Sequence, residues 1–203
     1  TDFDRHLSLA RIMPMLGLGS FGPSVLGQPP RPVPSRVYFD LTTWHLINTV
    51  YQPARVAELR AMADFYGEAV HHTRLMRVIT QRLGHALLGE AEAAKIATAE
   101  GQGTVLPLDL IEKGLQVSLQ AAEAEQALTH DLQRIVDCAH ETVKMAGLHT
   151  DQIDALYFTG GSTGLQALTQ RLQAAFPHAA GVRGDRLASV ATGLGLHAAR
   201  LFA

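Results

Sequence analysis

Apolar positions recur along most of this chain at three- and four-residue spacing, which predicts a mainly helical fold with a few short strands. The first period covers residues 4–15, where Asp4 is placed to cap the start and Pro14 and Gly17 to stop the helix. Residues 17–36, GLGSFGPSVLGQPPRPVPSR, hold five prolines and four glycines, so an extended surface loop is expected there. Helical spacing resumes over 41–51, over 53–66 with Pro53 at a helix start, and over a long run from 68 to 99. In that run Leu75, Ile79, Leu83, Ala86, Leu87, Ala91 and Ala94 line one stripe. Branched and leucine-rich segments at 104–110 and 115–119, joined by Glu112-Lys113-Gly114, predict a hairpin. A helix over 121–147 presents Leu128, Leu132, Ile135, Ala139, Val143 and Ala146, with Gly147 as its cap. A strand at 151–158, a GGSTG turn, a helix over 165–176, an extended piece at 182–183 and a last helix over 187–202 follow. That order predicts an α/β layer. The chain divides on this reading into a mainly helical upper part, 1–126, and a small α/β base, 127–203.

Composition narrows the function classes. The 203 residues are enough to bury a core. With 17 Lys+Arg against 19 Asp+Glu, no basic excess exists to neutralise a phosphate backbone, and 6% aromatics leave few base-stacking platforms, so nucleic acid is excluded as a partner. The single cysteine, Cys138, has no internal disulfide partner and points to a reduced, cytoplasmic setting; beside Ile135, Val136 and Ala139 it reads as a small buried hydrophobe. The leucine-rich opening is broken by Arg11, Pro14 and Pro23 and is neither a membrane span nor a signal peptide. A chain opening on Thr1 without methionine reads as a piece of something longer.

Four stretches carry candidate chemistry. Gly160-Gly-Ser-Thr-Gly164 fits the serine nucleophile elbow, and Asp185 and His197 follow in hydrolase order as triad partners of Ser162. That fold needs several parallel strands ahead of the elbow, and here helices stand in their place; the alternative is a glycine turn that brings backbone against a ligand. His71-His72 splay about 100° apart on a helix, and His140-Glu141 is followed by Lys144 where a zinc motif needs its second histidine, so packed or solvated histidines are expected instead of a metal. Glu92, Lys95, Ile96 and Ala99 project from one helix face and offer an acceptor, a cation and an apolar patch, or simply an intrahelical Glu–Lys pair. Ser189-Val-Ala-Thr-Gly-Leu-Gly195 places two glycines inside a helix at about 1 kcal/mol each, which predicts a close approach by something, a sheet or a ligand.

In order along the chain, these pieces resemble the second half of the nucleotide-binding domain of DnaK-type heat-shock chaperones, in the actin-like ATPase superfamily. Thr1-Asp-Phe-Asp-Arg5 is similar to the segment that opens the family's upper subdomain. Glu92-Ala-Ala-Lys95 is similar to its adenosine-contacting helix, and Gly160-Gly-Ser-Thr163 to its adenosine loop. Phe176-Pro177 with the Ser189–Gly193 helix resembles the closing segment before the interdomain linker, and the Pro-rich insertion resembles a divergent, YegD-like branch. The resemblance implies an actin-like ATPase half-domain in which a mainly helical upper subdomain with a β-hairpin stands on the small α/β base.

It also implies roles. Glu92 accepts from a ribose hydroxyl, Lys95 sits near ribose or phosphate oxygens, backbone at Gly160 and Gly161 approaches the nucleoside, and Ser162 bonds toward the purine. Where the family keeps adenine-stacking arginines, this chain has Gly164 and Ile96, and Ala99 replaces a serine that bonds the base. Each missing cation–π face removes about 0.5–2 kcal/mol unless Ile96 packs on the ring. ATP or ADP with Mg²⁺ is the implied cofactor, with the Mg²⁺ ligands and phosphate loops in the missing N-terminal lobe, so this chain alone is not expected to hydrolyse ATP. Implied partners are that lobe, unfolded clients or co-chaperones, and a second copy through the strand edge at 153–158. An interaction module with a vestigial nucleotide site is the rival reading, and a Ser162 hydrolase the third.

Overall fold

The computed structural model describes residues 2–23, 29–184 and 188–202. It is a mixed α/β chain, mostly helical, with two small two-stranded sheets. It separates into two compact units, Thr1–Thr98 with Gly103–Leu128, and Ala99–Gln102 with Thr129–Ala203.

In the first unit α1 (Asp2–Leu7) runs on through a π-helical turn at Ser8–Ile12 and a 3₁₀ turn at Met13–Leu16, burying Phe3, Leu7, Ile12, Met13 and Leu16. Asp4 is not the expected cap: it lies within α1, which already begins at Asp2, and its carboxylate meets Lys95. The chain stops at Gly17, whose φ of 104° favours glycine, and a Cβ there would stand 2.8 Å from the Tyr66 ring and 3.1 Å from the Tyr38 hydroxyl. That hydroxyl donates to Leu16 O at 2.9 Å, so the 2.9 Å bond to Tyr66 must use the Tyr66 proton. Burial pushes both phenols up from their ordinary pKa.

The described part of 17–36 is tied down more than a free loop. Phe21 and Pro32 form an antiparallel bridge, Gly22 N–H donates to Arg31 O at 2.8 Å, and Val33 is buried. The single helix expected over 41–51 is instead α2 (Arg36–Leu41) and α3 (Ile47–Val50). Thr42 and Thr43 hydroxyls donate back to Tyr38 O and Phe39 O, the competition that makes these residues poor in helix interiors. Next come α4 (Pro53–Ala61), a 3₁₀ turn at Ala63–Phe65, α5 (Ala69–Thr80) and α6 (Gly84–Thr98).

The expected continuous run over 68–99 is therefore broken. Arg82 adopts a left-handed φ of 57°, and Gly84 N–H donates to the Tyr51 hydroxyl at 2.8 Å. Leu75, Ile79, Leu87, Ala91 and Ala94 keep their buried stripe, Leu83 is half-buried, and Ala86 is exposed because the break rotates the register. The hairpin forms as β1 (Thr104–Pro107) and β2 (Gln116–Leu119), antiparallel, with Gly114 at φ 79° and its N–H on Asp109 Oδ1 at 2.8 Å.

The helix α7 (Ala121–Met145) continues from the first unit into the second. Ala124, Leu128, Leu132 and Val136 are its buried apolar residues, Ile135, Ala139 and Val143 are half-buried, Ala146 is exposed, and Gly147 ends it at φ 70°. Cys138 is exposed, not buried as expected: it directly precedes the stripe position Ala139 and so lies about 100° around the helix from it. A 3₁₀ turn at Thr150–Gln152 leads to β3 (Ala155–Phe158), which pairs in parallel with β4 (Ala180–Arg183), with α8 (Gln166–Ala175) as the crossover. Phe158, Leu165, Leu168, Phe176 and Ala179 form the core of this unit. Last is α9 (Ser189–Phe202), with Val190, Leu194, Leu196, Leu201 and Phe202 all exposed. A Cβ at Gly193 or Gly195 would meet nothing within 4 Å, so the close approach expected there is not made by the described residues. Leu187, the expected start of that helix, and Asp185 lie outside the described residues, as does Thr1.

Candidate functional site

The GGSTG stretch is a strand-to-helix switch. β3 ends at Phe158, and Gly160 takes φ 88° and ψ 158°, a combination essentially confined to glycine. Gly161–Gly164 then makes a 3₁₀ turn, closed by Thr163 N–H and Oγ1 on Gly160 O at 3.2 and 2.7 Å and by Leu165 N–H on Ser162 O at 3.1 Å. Within the same unit Gln166 N–H donates to Ala99 O at 3.0 Å, which fixes the first residue of α8. Neither Gly160 nor Gly161 has an atom within 4 Å of a Cβ position, and Ser162 is exposed, so backbone and hydroxyl face open space. This is the carboxyl end of a parallel strand next to a helix start, where α/β layers bind ligands. Of the first-turn N–H groups of α8, those of Gln166, Leu168 and Thr169 are already engaged, on Ala99 O and Leu165 O.

On α6 of the first unit the expected face divides. Glu92 and Ile96 are exposed, Ile96 at 65%. Lys95 instead turns to Asp4, Nζ to Oδ1 at 2.6 Å, with the two side chains only 14% and 8% exposed. Burial raises the Asp4 carboxyl, but the hydrogen bond and charge of Lys95 pull it on balance below the ordinary carboxylate value. The intrahelical Glu92–Lys95 pair is thus replaced by a pair that fastens α1 to α6. Asp4 is the residue that sequence reasoning misplaced; an acid inside an otherwise apolar helical period was the available signal. Glu92, Lys95 and Ile96 belong to one unit and Gly160, Gly161, Ser162 and Gly164 to the other, so the structure assembles each set separately.

The other chemistries gain little. His197 is exposed on α9, and Asp185 lies outside the described residues. His72 Nε2 is bonded to Leu59 O at 2.9 Å, and the His140 ring stacks on Phe176 with centroids 5.0 Å apart. Among the described residues no group of three His, Cys, Asp or Glu is placed to hold a metal ion. No described helix is long and apolar enough to cross a membrane. No family model matches the chain.

Proposed function

We propose that this chain supplies the adenosine side of an ATP-binding cleft in a chaperone-like ATPase of the DnaK type, coupling nucleotide state to subdomain closure. The observation that carries the reading is the glycine switch after β3: Gly160 holds a conformation that only glycine adopts readily, and both it and Gly161 leave their Cβ space empty. A nucleoside can approach that backbone closely, with Ser162 reaching toward the base and the half-buried Gly164 carrying no side chain to stack on it. Glu92 is an exposed acceptor suited to a ribose hydroxyl, and Ile96 an exposed apolar surface suited to a ring face. Lys95, held by Asp4, acts in this reading by positioning α6, and its contact with ribose or phosphate oxygens requires it to bridge. The phosphate loops and the Mg²⁺ ligands belong, on this reading, to another lobe, and clients or co-chaperones would be engaged by the whole protein in the cytoplasm.

Calorimetric titration of the full-length protein with ATP tests it. Saturable binding is expected, weakened about tenfold or more by Gly160→Ala, since the added Cβ strains that backbone by about 1–3 kcal/mol, and weakened also by Glu92→Gln. Binding that is absent, or that ignores both substitutions, overturns the reading. One observation favours a second reading, an interaction module with a vestigial site: the cation on the α6 face is already paired, and no guanidinium stands at 96 or 164 and no hydroxyl at 99. Absent ATP binding with a folded chain selects it. A Ser162 hydrolase is separated from both by fluorophosphonate labelling that Ser162→Ala abolishes.

A further inference from the structure

The second unit carries a concavity where α7 ends and the Thr150–Gln152 turn begins, lined by none of the GGSTG residues. Its volume is about 420 Å³, within the range of small-molecule sites, and its lining includes His140, Val143, Lys144, Leu148, His149 and Thr150. No lining residue is acidic, and every polar side chain among them can donate a hydrogen bond. His140 and Lys144 are one helical turn apart and so share a face of α7. The His140 ring is set by stacking on Phe176, 26° from parallel. The His149 side chain accepts the backbone N–H of Gln152, whose own side chain accepts the His149 N–H at 2.8 Å. With one ring nitrogen occupied at the turn, the other ring nitrogen of His149 is the one left to meet a ligand.

The carbonyl end of α7 would ordinarily disfavour an anion. Here its last groups are already engaged: Gly147 N–H donates to Lys144 O at 3.0 Å and Leu148 N–H to Val143 O at 3.1 Å, around Gly147 at φ 70°. Val143 and Leu148 add an apolar wall.

We propose that this concavity binds a small organic phosphate. The phosphate oxygens accept from the Lys144 ammonium, the His140 and His149 rings and the Thr150 hydroxyl, and the organic part lies on Val143 and Leu148. Four donors from two elements match the three oxygens of a phosphate monoester better than the two of a carboxylate, and a lysine point charge is a common phosphate partner.

Phenyl phosphate is the probe, followed by the ring C–H resonances of His140 and His149 in the full chain. Saturable shifts of both are expected, and inorganic phosphate should reverse them by competition. Lys144→Gln should weaken the binding about tenfold or more, the weight of one charge-assisted hydrogen bond. His149→Asn keeps a capping acceptor at the turn while deleting the ring donor, so it should weaken binding in a folded chain. Absence of shifts, unchanged affinity in Lys144→Gln, or benzoate binding as tightly as phenyl phosphate overturns the proposal. The nucleotide reading stands or falls separately, because none of these residues belongs to it.

Discussion

At Asp4 and Lys95 a single contact decides how much of α6 remains for a ligand. The pair is largely removed from water, so deleting one partner leaves the other charge without compensation. Asp4→Asn or Lys95→Met should lower stability by about 2 kcal/mol or more, read from the midpoint of chemical denaturation. The pH dependence has a definite sign. Because the folded carboxyl lies below its ordinary value of about 3.9, its contribution is complete above about pH 4 and is lost as pH falls through the folded value. Asp4→Asn should therefore flatten the acid limb of the stability profile, whereas a wild-type limb retained in the variant would assign the effect elsewhere. Spacing alone placed Lys95 on a face with Glu92 and Ile96, since helix geometry is local. It gave no information on α1 crossing that face, because the Asp4 partner is 91 residues away in sequence.

Elements whose turns are self-contained were legible, and those set by distant contacts were not. The hairpin followed from Gly114, whose positive φ and bond to Asp109 lie within the turn, and α8 followed from its amphipathic spacing after GGSTG. The break between α5 and α6 left no such mark, because the pattern of Leu75, Ile79, Leu87 and Ala91 reads almost continuously across it. What breaks the helix is Tyr51, which accepts Gly84 N–H and has the Arg82 guanidinium 5.9 Å from its ring centre. Gly84 is the residue that permits this approach. A Cβ there would stand 2.6 Å from the Tyr51 hydroxyl and 2.7 Å from Ile47 Cγ2. Although alanine is the better helix former, Gly84→Ala should destabilise the chain by about 1–3 kcal/mol through overpacking. A neutral or raised denaturation midpoint would mean that Tyr51 moves aside at no cost.

Both units leave apolar residues in water, among them Trp44, Ile96 and Val105 in the first, and in the second several gather on the strand pair and on α9. Parallel strand pairs are ordinarily covered on both faces. On β3 and β4, Phe158 is buried, yet the registered pair Tyr157 and Val182 is 61% and 40% exposed. Within the same unit α9 carries Ser189, Thr192, His197 and Arg200 as its only polar residues, and a helix apolar on nearly all sides is normally found inside a core or an assembly. Val190, Leu194 and Leu201 recur on one stripe of it, all more than 60% exposed. The two glycines of α9 led to the expectation of a close approach, and the sequence held no trace of the surface that would make it. Apolar area of this kind drives association at about 25 cal/mol per Å² removed from water. The chain in isolation should therefore self-associate, with a sedimentation coefficient that rises with concentration. Leu194→Lys places a charge in the middle of the stripe without disturbing a neighbour in the second unit, so it should return the protein to monomer at unchanged helicity. A wild-type chain that sediments as a monomer at every concentration would show that α9 and the Tyr157 face find their cover within one copy.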